Sequence, residues 1–173
     1  MKKSLIYMLL VVFCVMFTAC MSNNVYKSKT NNFSISYPQG WEKKSGAMGT
    51  EATIYSPNQG KDDKYRENID LFAETKKNER TLDQYFESVI MVQSKKLVEG
   101  YTNEKVEKTT LSGEDAYKLS FSINISGVNL DILRYIVKHN DKFYVLTFSV
   151  ESSQAENYTK QMKEILESFK FVS

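Results

Sequence analysis

Nucleophilic catalysis needs a nucleophile, a base and a group to orient the base. One histidine, His139, is the only imidazole in 173 residues. It stands beside Asn140-Asp141, a turn dipeptide, and reads as a solvated hairpin residue. No Gly-x-Ser-x-Gly elbow, Walker-type loop or Gly-x-Gly-x-x-Gly run is present, which removes the usual frames for acyl transfer and for phosphate or dinucleotide binding. Carboxylates are the remaining candidates. Asp62, Asp63, Glu67, Asp70 and Glu74 supply oxygen ligands of the kind a hard cation such as calcium takes. Lys61, Lys64 and Arg66 are interleaved with them and the spacing is not that of a calcium loop, so they read as a charged solvated loop, with no metal or cofactor assigned. Trp41, Tyr55, Asp62, Asp63 and Tyr65 form the candidate binding surface around the polar stretch 56–67, against core or rim packing as the alternative for Trp41 and Tyr55.

Both cysteines lie near the start, and what precedes them explains why. Met1-Lys2-Lys3 is followed by an apolar run from Leu5 to Phe17. A helix of that length reaches roughly 20 Å, short of the roughly 30 Å hydrocarbon layer, and so reads as the apolar part of a signal peptide rather than a transmembrane span. It ends in Phe17-Thr18-Ala19-Cys20, which resembles the bacterial lipoprotein lipobox, with Phe17 where an aliphatic residue is usual. An ordinary signal peptide with a chance cysteine and an uncleaved anchor are the alternatives. The resemblance implies cleavage after residue 19 and acylation of Cys20, enough apolar chain for stable anchoring to a bilayer on the extracytoplasmic side. Cys14 would leave with the leader, so the folded body would carry no thiol for a disulfide, a metal site or a nucleophile.

Removing residues 1–19 takes Lys2 and Lys3 from the 23 basic residues, leaving 21 against 21 acidic. A formal net charge of zero gives no reason to expect a nucleic-acid partner. The polar stretch through residue 31 has no hydrophobic periodicity and reads as a flexible tether, so the expected organisation is leader 1–19, tether 20–31 and one domain over 32–173.

Within that domain the stretch Gly113–Val150 organises the rest. Tyr117, Leu119, Phe121, Ile123 and Ile125 alternate with Lys118, Ser120, Ser122 and Asn124, the period of a half-buried strand. Ser126-Gly127 and Asn140-Asp141 break the stretch into three strands joined by two hairpins. The last strand, through Tyr144-Val145-Leu146-Thr147-Phe148, is apolar on both faces and must be covered on both. Phe33–Tyr37 reads as an edge-type strand ended by Pro38. Ala52–Ser56, Asn68–Thr75 and Lys105–Leu111 add further strands. Thr81 with Gln84, and Ser153 with Glu156, read as capping boxes opening two helices. Each helix has one apolar stripe, so one helix is expected on each face of the sheet.

Phe33–Trp41 (F-x-I-x-Y-P-x-G-W), Thr81-Leu-Asp-Gln-Tyr85, Gly113-x-x-Ala116-Tyr117-x-Leu119-x-Phe121, Tyr144–Ser149 and Ile165–Lys170 together resemble the bacterial PsbP-like and DcrB-like lipoproteins. The resemblance covers nearly all of 33–171. It implies an α+β fold, an α/β/α sandwich around a mainly antiparallel sheet of about six to seven strands with a helix on each face. It also implies work by docking to larger partners, not catalysis, and no family site residue carries over. The expectation is therefore a non-enzymatic, lipid-anchored extracytoplasmic module, held to the bilayer through acylated Cys20 and binding an envelope or membrane protein. The alternative is a small-ligand or metal-binding, possibly hydrolytic, envelope protein using a pocket near Trp41, Tyr55 and the 56–67 loop.

Overall fold

The computed structural model describes residues 23–47, 49–74, 76–97 and 100–172; Cys20 and the expected leader lie outside the described residues. In chain order the elements begin β1 (Asn24–Ser28), β2 (Phe33–Tyr37), β3 (Glu42–Ser45), β4 (Ala52–Tyr55) and β5 (Asn68–Ala73). A broken helix follows: α1 (Leu82–Tyr85), a π-helical segment (Phe86–Met91) and α2 (Val92–Leu97). Then come β6 (Thr102–Leu111), β7 (Glu114–Ile125), β8 (Val128–His139), β9 (Lys142–Glu151), α3 (Ala155–Ser168) and the short β10 (Lys170–Phe171).

The expected meander is present as β7-β8-β9. Its turn residues all take positive φ, 53° and 85° at Ser126-Gly127 and 46° and 62° at Asn140-Asp141, the geometry of tight hairpins whose twist matches the strands. The seven-stranded sheet has the order β3-β4-β5-β9-β8-β7-β6 and pairs antiparallel throughout. The join that periodicity could not reveal is β5 to β9, which brings Ile69 opposite Phe148 and Leu71 opposite Leu146.

Two apolar layers sandwich this sheet. On one face Tyr85, Phe86 and Ile90 from the broken helix meet Tyr117, Leu119, Phe121, Ile136 and Phe143. Tyr85 and Phe86 are neighbours in sequence yet both bury, and the wider π turn that begins there allows both to face the sheet. Thr81 caps this helix as expected, with its Oγ1 accepting from the Gln84 backbone N–H and the Gln84 side chain accepting from the Thr81 N–H. On the other face Tyr158, Ile165 and Phe169 pack with Phe33 and Ile35 onto Ile54, Leu71, Leu146 and Phe148.

Three expectations are corrected. The tether is a strand over Asn24–Ser28, paired with β2. This makes β2 the middle of a small β1-β2-β10 sheet rather than an edge. Tyr26 explains the ordering: its ring meets Phe33 edge-on at 6.0 Å and its hydroxyl donates to Glu51 at 2.8 Å. Ser153 makes no cap on α3; its hydroxyl donates to Glu151, and a 3₁₀ turn at Ser152–Gln154 leads into the helix.

Candidate functional site

The five residues of the expected binding surface do not come together. Trp41 is buried in the α3-side core, edge-on to Tyr158 at 6.0 Å. Tyr65 packs against the opposite core, where its hydroxyl accepts from the Asn68 amide at 2.9 Å and burial raises its pKa. Tyr55 is half-buried on β4, with the Lys44 ammonium 5.5 Å and the Arg66 guanidinium 5.2 Å from its ring, so the chain's own cations approach it. Asp63 is used inside the loop, accepting from the backbone N–H groups of Gln59 and Tyr65. Asp62 is exposed.

The 56–67 loop is closed at its neck by a buried clasp. Ser56 donates through its N–H to the Glu67 carbonyl at 2.8 Å and through its hydroxyl to the Glu67 carboxylate at 3.0 Å. Gln59 then ties the loop to α3 by donating to the Tyr158 hydroxyl at 2.7 Å. The other carboxylates are taken singly, Asp70 by Thr53 and Glu74 by Asn78. Among the described residues no group of three His, Cys, Asp or Glu is placed to hold a metal ion.

His139 is not the solvated turn residue expected. Its ring stacks on Phe171 at 3.9 Å, and Nδ1 lies 2.9 Å from a Glu114 oxygen. The network assigns the proton to Nδ1, leaving Nε2 to accept from the amide of Asn140 at 2.9 Å. An imidazole bonded to its own neighbour and covered by a ring is fixing the end of β8 rather than activating a hydroxyl. Arg134, on the broken-helix side, is likewise structural: it donates to Thr147 and Ser94 and lies over Phe121, and burial pulls its pKa down.

A broad accessible concavity lies elsewhere, along α3. A groove of about 880 Å³ runs between that helix and β6–β8, floored by Leu133 and Tyr135 and walled by Met162, Leu166 and Phe171. A second hollow of about 380 Å³ continues it toward Ser120 and Asp131, and the two share Lys118, Leu133, Thr159 and Met162. The cause is a mismatch of widths. Seven strands set six spacings of roughly 4.8 Å, about 29 Å in all, whereas one helix and a three-stranded sheet cover about 20 Å. The uncovered strip is where β7 turns Lys118, Ser120 and Ser122 toward α3, the polar half of the alternation seen in the sequence. Lys118 pairs with Glu107 at 3.2 Å, and Lys105 reaches the same carboxylate at 2.6 Å. Lys163 and Lys170 stand on the rim. An apolar floor with a charged rim suits a docked side chain or segment, and it holds no set of groups aimed at one reacting atom.

The PsbP family model matches residues 22–171, beginning inside the segment expected to be a tether. Among solved structures, LpqN, described as involved in cell envelope biogenesis of Mycobacterium tuberculosis, superposes with a TM-score of 0.64 at 12% identity, over 87% of this chain and 91% of that one. Cyanobacterial PsbP from Synechocystis sp. PCC 6803 gives 0.60 at 14% identity, over 90% and 95%. A protein of Pseudomonas aeruginosa described as a putative regulator gives 0.53 at 10% identity, over 84% and 94%. No curated protein matches. At these identities the structural likenesses establish the fold alone.

Proposed function

Since the chain belongs to the PsbP family, we propose that it is a non-catalytic accessory module of the cell envelope, anchored by acylated Cys20 and binding a protein partner in the groove along α3. The observation that carries the reading is the groove itself: a broad concavity beside a core helix, with apolar walls, a lysine rim and, among the described residues, no catalytic constellation. The envelope setting draws support from the role described for LpqN and from the leader-like start of the sequence. Among the described residues no helix is long and apolar enough to cross a membrane, and in this reading attachment falls to the lipid.

The test is site-specific photo-crosslinking in intact cells. A photoreactive residue at Met162, inside the groove, should give one discrete protein adduct, while the same residue at exposed Lys160 should not. Identical adduct patterns from both positions would end the docking proposal. Anchoring is tested separately by intact mass: a free Cys20 thiol or a retained Met1 would refute it.

A further inference from the structure

Strand β6 is a free edge of the seven-stranded sheet, opposite the edge formed by β3, and its sequence is complementary to itself. About Val106 the charges are antisymmetric, with Lys105 on one side against Glu107 on the other, and Glu104 against Lys108. Outside these, Asn103 matches Thr109 and Thr102 matches Thr110, all uncharged. In an antiparallel pair, residues directly opposite one another share a face and lie roughly 4.5–5.5 Å apart, so the central charge matches become contacts when two copies of the strand meet.

The hairpin to β7 decides which backbone groups are free to make that pair. Its two-residue turn, Ser112-Gly113 with φ of 53° and 85°, sets Leu111 opposite Glu114 as a hydrogen-bonded pair. By alternation Leu111, Thr109, Glu107 and Lys105 turn N–H and C=O toward β7, while Thr110, Lys108 and Val106 turn theirs outward. Outward groups can bond only outward groups, which restricts the registers available to a second copy. The register centred on Val106 satisfies this and opposes every charge by its opposite. Moving the centre by one residue sets Glu107 on Glu107 or Lys105 on Lys105.

We propose that β6 is a self-association edge, through which two copies of this chain pair antiparallel about a two-fold axis at Val106. Val106 is 39% exposed, one of few large apolar side chains left in solvent, and it would meet its own symmetry mate. In the single chain the charges are held provisionally, Lys105 on Glu107, Glu104 on Lys95 and Lys108 on Asp83. In each pair the lysine is exposed, and Glu107 is also held by Lys118, so these are surface contacts of small individual strength. The register break between Thr102 and Lys105 confines the continuous ladder to the three central pairs, with Lys108–Glu104 contacts at its two ends. The equal numbers of acidic and basic residues beyond the leader add no net repulsion between copies. Because the axis stands perpendicular to the sheet, both α3 layers fall on one side, and the two grooves flank a shared floor.

The test uses the full chain in detergent micelles, with protein mass read by light scattering across a concentration series. The wild type is expected to dimerise. Lys105→Glu and Glu107→Lys each place like charges opposite one another twice per dimer, and should raise the dissociation constant roughly tenfold or more. An equimolar mixture of these two variants should restore the dimer, because each supplies the charge the other lacks. Val106→Pro should keep the fold, since that N–H serves no bond to β7, and lose the dimer. A wild type that stays monomeric throughout, or a dimer indifferent to both single reversals, overturns the proposal. So does a mixture that fails to recover the dimer, whether or not the proline variant folds.

Discussion

The two faces of the seven-stranded sheet are built from the same strands and end in opposite conditions. On the broken-helix face Tyr85 stacks on Phe143 at 3.8 Å and Phe86 on Tyr117 at 4.0 Å, and the cover reaches across β7. On the α3 face the cover is complete over β4, β5 and β9, where Phe33 and Phe169 pack, but stops short of β6 and β7. One strand records the difference: β7 gives Tyr117, Leu119 and Phe121 to the sealed face and Lys118, Ser120 and Ser122 to the open one. Stability is therefore concentrated where the rings close, and contact with other molecules is available where alternation leaves polar residues beside a helix.

The comparison breaks most readily at the sealed face. Phe86→Ala, at a site 1% exposed, is expected to cost about 3–5 kcal/mol in denaturant unfolding, through lost burial and an unfilled cavity. Leu166→Ala, on the groove wall and half open to solvent, should cost only about 1 kcal/mol. Equal losses at the two sites would mean the faces are equally packed. Thr81→Ala removes the cap of the sealing helix and should also cost about 1 kcal/mol, with Thr81→Ser largely sparing it. Lys118→Met should leave stability within about 0.5 kcal/mol while changing the Met162 photo-adduct, because the pair with Glu107 is still reached by solvent and contributes little to the fold.

The smallest effect is in acid. Hydrogen bonds from Tyr117, then Lys108, hold the Asp83 carboxyl below its usual pKa; Lys105, then Lys118, do the same for Glu107. A depressed folded pKa contributes stability above the unfolded value, and that contribution is lost as pH falls through the folded one, here below about pH 4. Asp83→Asn should therefore flatten the acid limb of unfolding midpoints measured between pH 6 and pH 3. An unchanged limb would show that Asp83 carries none of it.

Much of this architecture was legible because it is local. The alternation of β7 and the paired turns state their geometry residue by residue, and Thr81-x-x-Gln84 states its cap. The candidate site was not legible in the same way. Trp41, in the turn before β3, and Tyr65, in the polar loop before β5, enter opposite cores. Strand β1 carries too little apolar signal to declare itself, with Val25 54% exposed, and forms because β2 offers it a partner. Ser153 has the right neighbour for a capping box, but the preceding turn directs its hydroxyl to Glu151 instead.

The amino-acid order by itself determined the two hairpins of the β7-β8-β9 meander, the alternating faces of β7, the capped start of the first helix and the family pattern, since each follows from residues a few positions apart. Only the tertiary structure decided that β5 joins β9, that α3 covers less sheet than lies beneath it and that β6 is left as a free edge. Those outcomes depend on how wide the layers are and which strands meet across distant segments, quantities that no short window of sequence contains.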